Sequence, residues 1–162
     1  TARSYPIQKR GNMMNTVKEM LNVKGRNIWS IGATETVYRA IEMMAERDVN
    51  ALTVKTNDSQ LAGIISERDY ARKVILRDQS SRDTKVADIM TTEVIFVTEE
   101  TSFDSCISLM GKYHVRHLPV MNGKTPVGMI TVGDLLKFII KKQSIEIEEL
   151  ESYIFEDRGG ES

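Results

Sequence analysis

The sequence predicts an α+β fold, sandwich-like, built from two similar units in tandem, each running helix-strand-helix-strand-strand-helix, packed sheet to sheet about a pseudo-twofold axis. Three observations carry this. Three blocks of sequence recur in one order at a nearly constant offset, which is the mark of a structural repeat. Each copy alternates a stripe of apolar residues at helical spacing with short apolar runs bounded by turn residues. The composition, 162 residues with 41% hydrophobic and 28% charged positions, suits a globular chain with one full core or two small ones.

The repeat is explicit. Residues 44–54, MAERDVNALTV, match 110–120, MGKYHVRHLPV; residues 61–69, LAGIISERD, match 126–134, PVGMITVGD; residues 17–21, VKEML, match 86–90, VADIM. Each unit opens with a short helix and a brief apolar strand, at 28–31 in the first unit and 94–97 in the second. A helix follows whose apolar stripe is Val37, Ile41, Met44 and Ala45 in one copy and Phe103, Cys106, Ile107 and Met110 in the other, and these stripes are core. Two strands come next, at 51–55 and 60–65, then at 117–121 and 125–130, joined by Asn57-Asp58-Ser59 and by Asn122-Gly123. A helix beginning at Ser66 or Thr131 closes each unit.

The units therefore span residues 14–78 and 85–142, with the polar stretch 79–84 as linker. Neither is large enough to be comfortable alone, so the two are expected to pack together. Residues 1–13 form a basic, acid-free, unpatterned arm, either a cloning remnant or the stub of a cleaved presequence. Ser144 is expected to cap a further amphipathic helix over 143–158, with Ile145, Ile147, Leu150, Tyr153 and Ile154 among Glu146, Glu148, Glu149 and Glu151. That helix packs either on its own chain or on a partner, and 159–162 form a disordered tail.

Composition narrows the function. Lys and Arg total 22 against 23 Asp and Glu, so a net charge of -1 gives no whole-chain attraction to nucleic acid or anionic membrane. No apolar run approaches the roughly 18 residues of a membrane helix. The one cysteine, Cys106, closes no intrachain disulfide, which fits a reducing compartment, cytoplasmic or alternatively the mitochondrial matrix or another organelle. Cys106 lies on an apolar helical stripe and reads as an inert core thiol. His114 and His117 lack a carboxylate to complete a metal set. Ser66, Asp69 and His117 include triad residue types without a nucleophile elbow, and neither a Walker loop nor a G-x-G-x-x-G turn occurs.

The remaining chemistry gathers at the two strand-to-helix turns, 63–69 and 128–134. A helix N-terminus offers free amides and a positive dipole end to a phosphate, and a preceding glycine lets a ligand approach the backbone. Ser66 and Thr131 donate hydroxyls, and the carboxylates of Asp69 and Asp134 accept two hydrogen bonds, as vicinal ribose hydroxyls require. The same spacing is also a capping box. Capping alone tolerates Asn, Glu or Gln, however, whereas both copies keep hydroxyl, Asp and Gly. Cations are unequal between the copies: Arg68 stands where the second unit has Gly133, and Arg116 and His117 stand where the first has Asn50 and Ala51. A pseudo-twofold arrangement brings Arg68, Arg116 and His117 toward a phosphate held between the units.

As a set, the two units, VADIM opening the second, VRHLPV over 115–120 and the paired Gly-h-h-[Ser/Thr]-x-x-Asp turns resemble a CBS-domain pair, or Bateman module. SERDYARK over 66–73 with RHLP over 116–119 is similar to the small stand-alone two-CBS proteins. The resemblance implies a regulatory module without catalytic turnover. It implies AMP, ADP, ATP or NAD(H) in clefts between the units, with S-adenosylmethionine ranked below these, and an energy or redox sensor as the role. It further implies that Asp69 and Asp134 hold ribose, Ser66 and Thr131 contact phosphate, Arg68, Arg116 and His117 neutralise it, and the backbone at Asn50-Ala51 and His117-Leu118 flanks adenine. It also implies a homodimer, with an unidentified regulated protein as a further partner. A nucleotide-free dimeric scaffold for a protein partner is the alternative.

Overall fold

The computed structural model describes residues 15–158, with side chains as far as Ile154; the expected N-terminal arm and the 159–162 tail lie outside the described residues. Helix α1 (Val17–Lys24) leads to β1 (Ser30–Gly32), α2 (Val37–Arg47), β2 (Ala51–Lys55), β3 (Leu61–Ser66) and α3 (Glu67–Lys73). A single 3-10 turn (Ile75–Arg77) ends the first unit. The second unit runs α4 (Val86–Ile89), α5 (Phe103–Tyr113), β4 (His117–Asn122), β5 (Thr125–Thr131) and α6 (Val132–Arg158). The fold is α+β, two units of one pattern, as the repeat predicts.

Local chemistry explains the boundaries. Thr36 and Ser102 cap α2 and α5 by accepting from the amides of Arg39 and Ser105. Both helices stop at a left-handed residue, Asp48 (φ 53°) and His114 (φ 53°), which occupy equivalent places in the repeat. In the first unit β1 is parallel to β2, and β2 is antiparallel to β3.

The second sheet differs from expectation. Instead of a strand over 94–97, one parallel bridge joins Val97 to Val120 beside the β4-β5 hairpin. Val97 donates to the carbonyl of Pro119 and accepts from the amide of Met121. The next bond of the ladder would need an amide from position 119, where Pro119 has none. In the first unit the matching residue is Thr53, and its amide does bond the carbonyl of Trp29.

The opening helices are exchanged between the units. Val17, Met20 and Leu21 of α1 are buried in the second unit's core with Val97, Leu118, Val120 and Ile130. Val86 and Ile89 of α4 are buried in the first unit's core with Leu52, Val54 and Ile65. Backbone pairs fix each exchange: Val17 N to Thr101 O and Phe103 N to Asn15 O at one end, Val37 N to Thr84 O and Val86 N to Glu35 O at the other. Both clefts described below are walled by strands of both sheets.

The two turn glycines serve this exchange, a correction to their expected role of admitting a ligand. A Cβ at Gly63 would lie 2.7 Å from the carbonyl oxygen of Thr91 and 3.0 Å from Met90 Sδ. At Gly128 it would lie 2.9 Å from both methyls of Leu21. Thr91 and Ile64 also exchange two backbone hydrogen bonds, which leaves that carbonyl little room to move.

Helix α6 also departs from expectation. It is continuous from Val132 to Arg158, and Ser144 does not cap a new segment but donates its hydroxyl to the carbonyl of Ile140 at 3.0 Å. With neither Gly nor Pro from 134 to 158 the helix has no reason to stop, and a serine inside a helix satisfies itself this way. Among the described residues of this segment, Ile145, Ile147, Leu150, Tyr153 and Ile154 are 46–75% exposed, so their apolar sides are not covered by their own chain.

Gly63→Ala is expected to destabilise by about 1 to 3 kcal/mol, since a rigid backbone carbonyl blocks the new methyl. Gly128→Ala, opposed by a side chain, should lose less. Gly111→Ala in α5, with nothing within 4 Å of its Cβ, should gain a few tenths to about 1 kcal/mol. Thermal midpoints of the three variants check the order, and equal losses at 63 and 111 would contradict it.

Candidate ligand clefts

Two clefts open between the units, one at each strand-to-helix turn. The first, about 610 Å³, contains Ser66, Glu67, Arg68, Asp69 and Thr91 on one side and His114, Val115, Arg116 and His117 on the other. The second, about 840 Å³, contains Thr131, Gly133 and Asp134 on one side and Asp48, Val49, Asn50 and Ala51 on the other, with Lys24 and Trp29 at its end. Asn50, Arg116 and His117 line both, so the clefts share a wall.

The capping box forms in both copies. Asp69 Oδ2 accepts from the Ser66 amide at 3.0 Å and hydroxyl at 3.1 Å, while the Asp69 amide donates to Ser66 Oγ at 3.2 Å. Asp134 Oδ2 accepts from the Thr131 amide at 2.9 Å, and the Asp134 amide donates to Thr131 Oγ1 at 3.1 Å. Each Asp therefore holds its own helix start. What differs is the second oxygen. Asp69 Oδ1 pairs with Lys73 at 2.9 Å and takes a long bond from the Thr91 hydroxyl at 3.4 Å. In the second copy Lys24 joins Oδ2 of Asp134 at 2.5 Å, leaving Oδ1 without a partner among the described residues.

Both lysines tie a turn to an exchanged helix. Lys73 also donates to the carbonyl of Ile89, at the end of α4. Lys24 closes α1 and also donates to the carbonyl of Met129 on β5. The same packing that joins the units thus places one lysine in each cleft.

Of the residues singled out from sequence, Arg68, Arg116 and His117 come together in the Asp69 cleft, with Ser66 and Asn50. Thr131, Asp134, Asn50, Ala51, Arg116 and His117 come together in the other. Leu118 lines neither, because its side chain is fully buried in the second core. Sequence reasoning missed Arg72, Lys73 and Thr91 in one cleft and Lys24, Trp29 and Lys137 in the other. Trp29, the one tryptophan of the chain, lies under the Arg47 guanidinium at 4.2 Å and was the signal available.

Charge separates the clefts. Arg68, Arg72, Lys73 and Arg116 face Glu67 and Asp69 in the first, whereas Lys24, Lys137 and Arg116 face Asp48 and Asp134 in the second. The first has the larger cationic excess and the more cationic field for an anion. Burial holds the His117 imidazole below its ordinary value of 6.5, with the Lys24 charge adding to the shift, Asp134 opposing it and Arg116 adding the least. His117 therefore stands neutral at pH 7. Burial also pushes the Cys106 thiol up to about 12, as an unreactive core thiol requires. Among the described residues no group of three His, Cys, Asp or Glu side chains could hold a metal ion.

Because the folded chain disfavours protonated His117, the unfolded chain takes up the proton first as pH falls below about 6.5, and this residue's contribution to stability is lost across that window. A histidine NMR titration is expected to place His117 below 6.5. His117→Gln should flatten the acid side of the stability profile, and a His117 midpoint at or above 6.5 would contradict the burial account.

Comparison with known proteins agrees with this geometry. The CBS domain family matches residues 17–76 and again 86–141. The chain is 37% identical over 157 residues to the mitochondrial CBS domain-containing protein CBSX3 of Arabidopsis thaliana, covering 91% of this chain and 76% of that one. Several other curated relatives are longer proteins, of which it spans about a quarter or less. A solved CBS-domain protein from Burkholderia ambifaria superposes with a TM-score of 0.75 at 43% identity, over 79% of this chain and 96% of that one. The CBS domain pair of protein MJ0100, solved with 5′-methylthioadenosine and S-adenosyl-L-methionine, shares the fold with a TM-score of 0.71 at 23% identity, over 78% and 97% of the two chains. Two matched copies of one domain, exchanged helices and a pair of clefts at equivalent turns make this chain a member of the CBS domain family, a tandem CBS pair.

Proposed function

We propose that the chain is a non-catalytic regulatory module that binds an adenosine nucleotide between its two CBS units and acts as an energy or redox sensor. The observation that carries this is the pair of equivalent clefts, each with a hydroxyl, an Asp and a helix N-terminus on one side, and with Arg116 and His117 lining both. The adenosine ligands of the MJ0100 pair support the ligand class. AMP, ADP, ATP or NAD(H) ranks above S-adenosylmethionine for this chain, because Arg68, Arg72 and Arg116 favour phosphate over a sulfonium. In this reading the Asp69 cleft takes phosphates, and the Asp134 cleft offers ribose the open Oδ1 of Asp134. The chain works as a homodimer. The mitochondrial relative favours the organelle alternative over the cytoplasm.

The scaffold reading survives as a second one, since the apolar side chains of the C-terminal half of α6 stand exposed. Thermal unfolding with AMP, ATP, NADH, S-adenosylmethionine and GTP separates the two. A ligand at about a hundred times its Kd should stabilise by about 2.7 kcal/mol, and the adenine nucleotides should do so where GTP does not. Asp134→Asn and Asp69→Asn, which keep an acceptor for the capping amide, report which cleft is filled. Arg116→Ala should weaken AMP roughly ten- to hundredfold while leaving adenosine nearly unchanged. No shift with any adenine compound would reject the sensor.

A further inference from the structure

Helix α6 carries a second pattern beyond its cap at the cleft. On its solvent side Leu136, Ile140, Ile147, Leu150 and Ile154 follow the alternating three- and four-residue spacing of a coiled-coil seam, with Gln143 in the one polar place. These five are 55–62% exposed, while Leu135 and Phe138 on the other side of the helix pack into the second core. From Gln143 to Ile154 every residue is exposed. A helical segment this short, free of tertiary contact and lined with Ile, is marginal in water alone. Its apolar seam needs a partner.

We propose that this seam pairs with the same seam of a second copy, antiparallel, over residues 136–154. The proposal rests on the homodimer part of the function above and names its interface. Charge decides the orientation. With the twofold axis near Ile145, the layers are Leu136 on Ile154, Ile140 on Leu150 and Gln143 on Ile147 of the second copy. The flanking position of Lys137 then falls opposite Glu151 of the second copy, twice by symmetry, and Ile139 falls opposite Tyr153. Glu146 meets its own copy once, at the axis. A parallel pairing in register instead sets Glu146 beside Glu151 twice, with no compensating pair. Gln143, facing Ile147 of the second copy, makes no polar pair across the seam and lowers its stability, so the charged flanks carry the choice of orientation. The paired length is about 28 Å at 1.5 Å per residue.

Sedimentation equilibrium on the full chain tests this, with wild type expected at twice the 18.4 kDa of one chain. Leu150→Lys, an exposed position, should yield a monomer with an unchanged thermal midpoint at high dilution. Lys137→Glu and Glu151→Lys should each weaken dimerisation about fivefold or more, and the double variant should recover it. A dimer that Leu150→Lys leaves intact overturns the pairing and spares the homodimer. A double variant weaker than both singles overturns the antiparallel register. A monomeric wild type overturns pairing and homodimer together and assigns the seam to a different protein.

Discussion

The structure depends on the exchange of the opening helices. Neither unit completes its core alone: Leu21 is supplied to the second sheet and Ile89 to the first, each against strands whose glycine leaves room for the approach. Small units of this size bury too little surface to be stable separately, and exchange converts two marginal cores into one cooperative body. It also determines where the clefts lie. Lys24 and Lys73 reach from the exchanged helix in one copy and toward it in the other, and each lysine lines the cleft beside its Asp.

This arrangement ties ligand chemistry to domain packing. Asp69 and Asp134 each hold a helix start and a lysine; a ribose that engages Asp69 competes with those bonds, whereas Asp134 keeps Oδ1 open to it. Arg116 and His117 line both clefts, so an anion that draws the Arg116 guanidinium toward one changes the field in the other. On the proposed reading, the two sites are coupled through the shared charge of Arg116, and any such coupling is reciprocal. The unequal charge of the clefts further suits them to different ligands or different occupancies.

Much of this was legible in the sequence because the repeat is strong. Two copies of one hydrophobic pattern identified the elements, the hairpins and the turn at which each Asp sits. The exchange of helices was not legible, since a repeat tells which segments are alike and nothing about which sheet each one covers. The same limit hid Lys24 and Trp29, which belong to the first unit and line the cleft of the second unit's Asp134. The role of Gly63 was misread for a related reason: a glycine next to a helix start suits a ligand or a helix equally well, and Thr91 lies far along the chain. Pro119 did carry a readable signal, because a residue without an amide cannot extend a ladder on both sides. Ser144 looked like a cap because local pattern alone does not distinguish a capping hydroxyl from one bonded to the preceding turn.

The central claim is that the two turns are adenine-nucleotide sites sharing one wall. Amide chemical shifts of isotopically labelled chain titrated with AMP test it most directly, because they report position as well as binding. The account predicts saturable changes at 66–69 or 131–134 together with 116–117, and little change along the outer half of α6. Saturable changes elsewhere, or none at millimolar AMP, would contradict it.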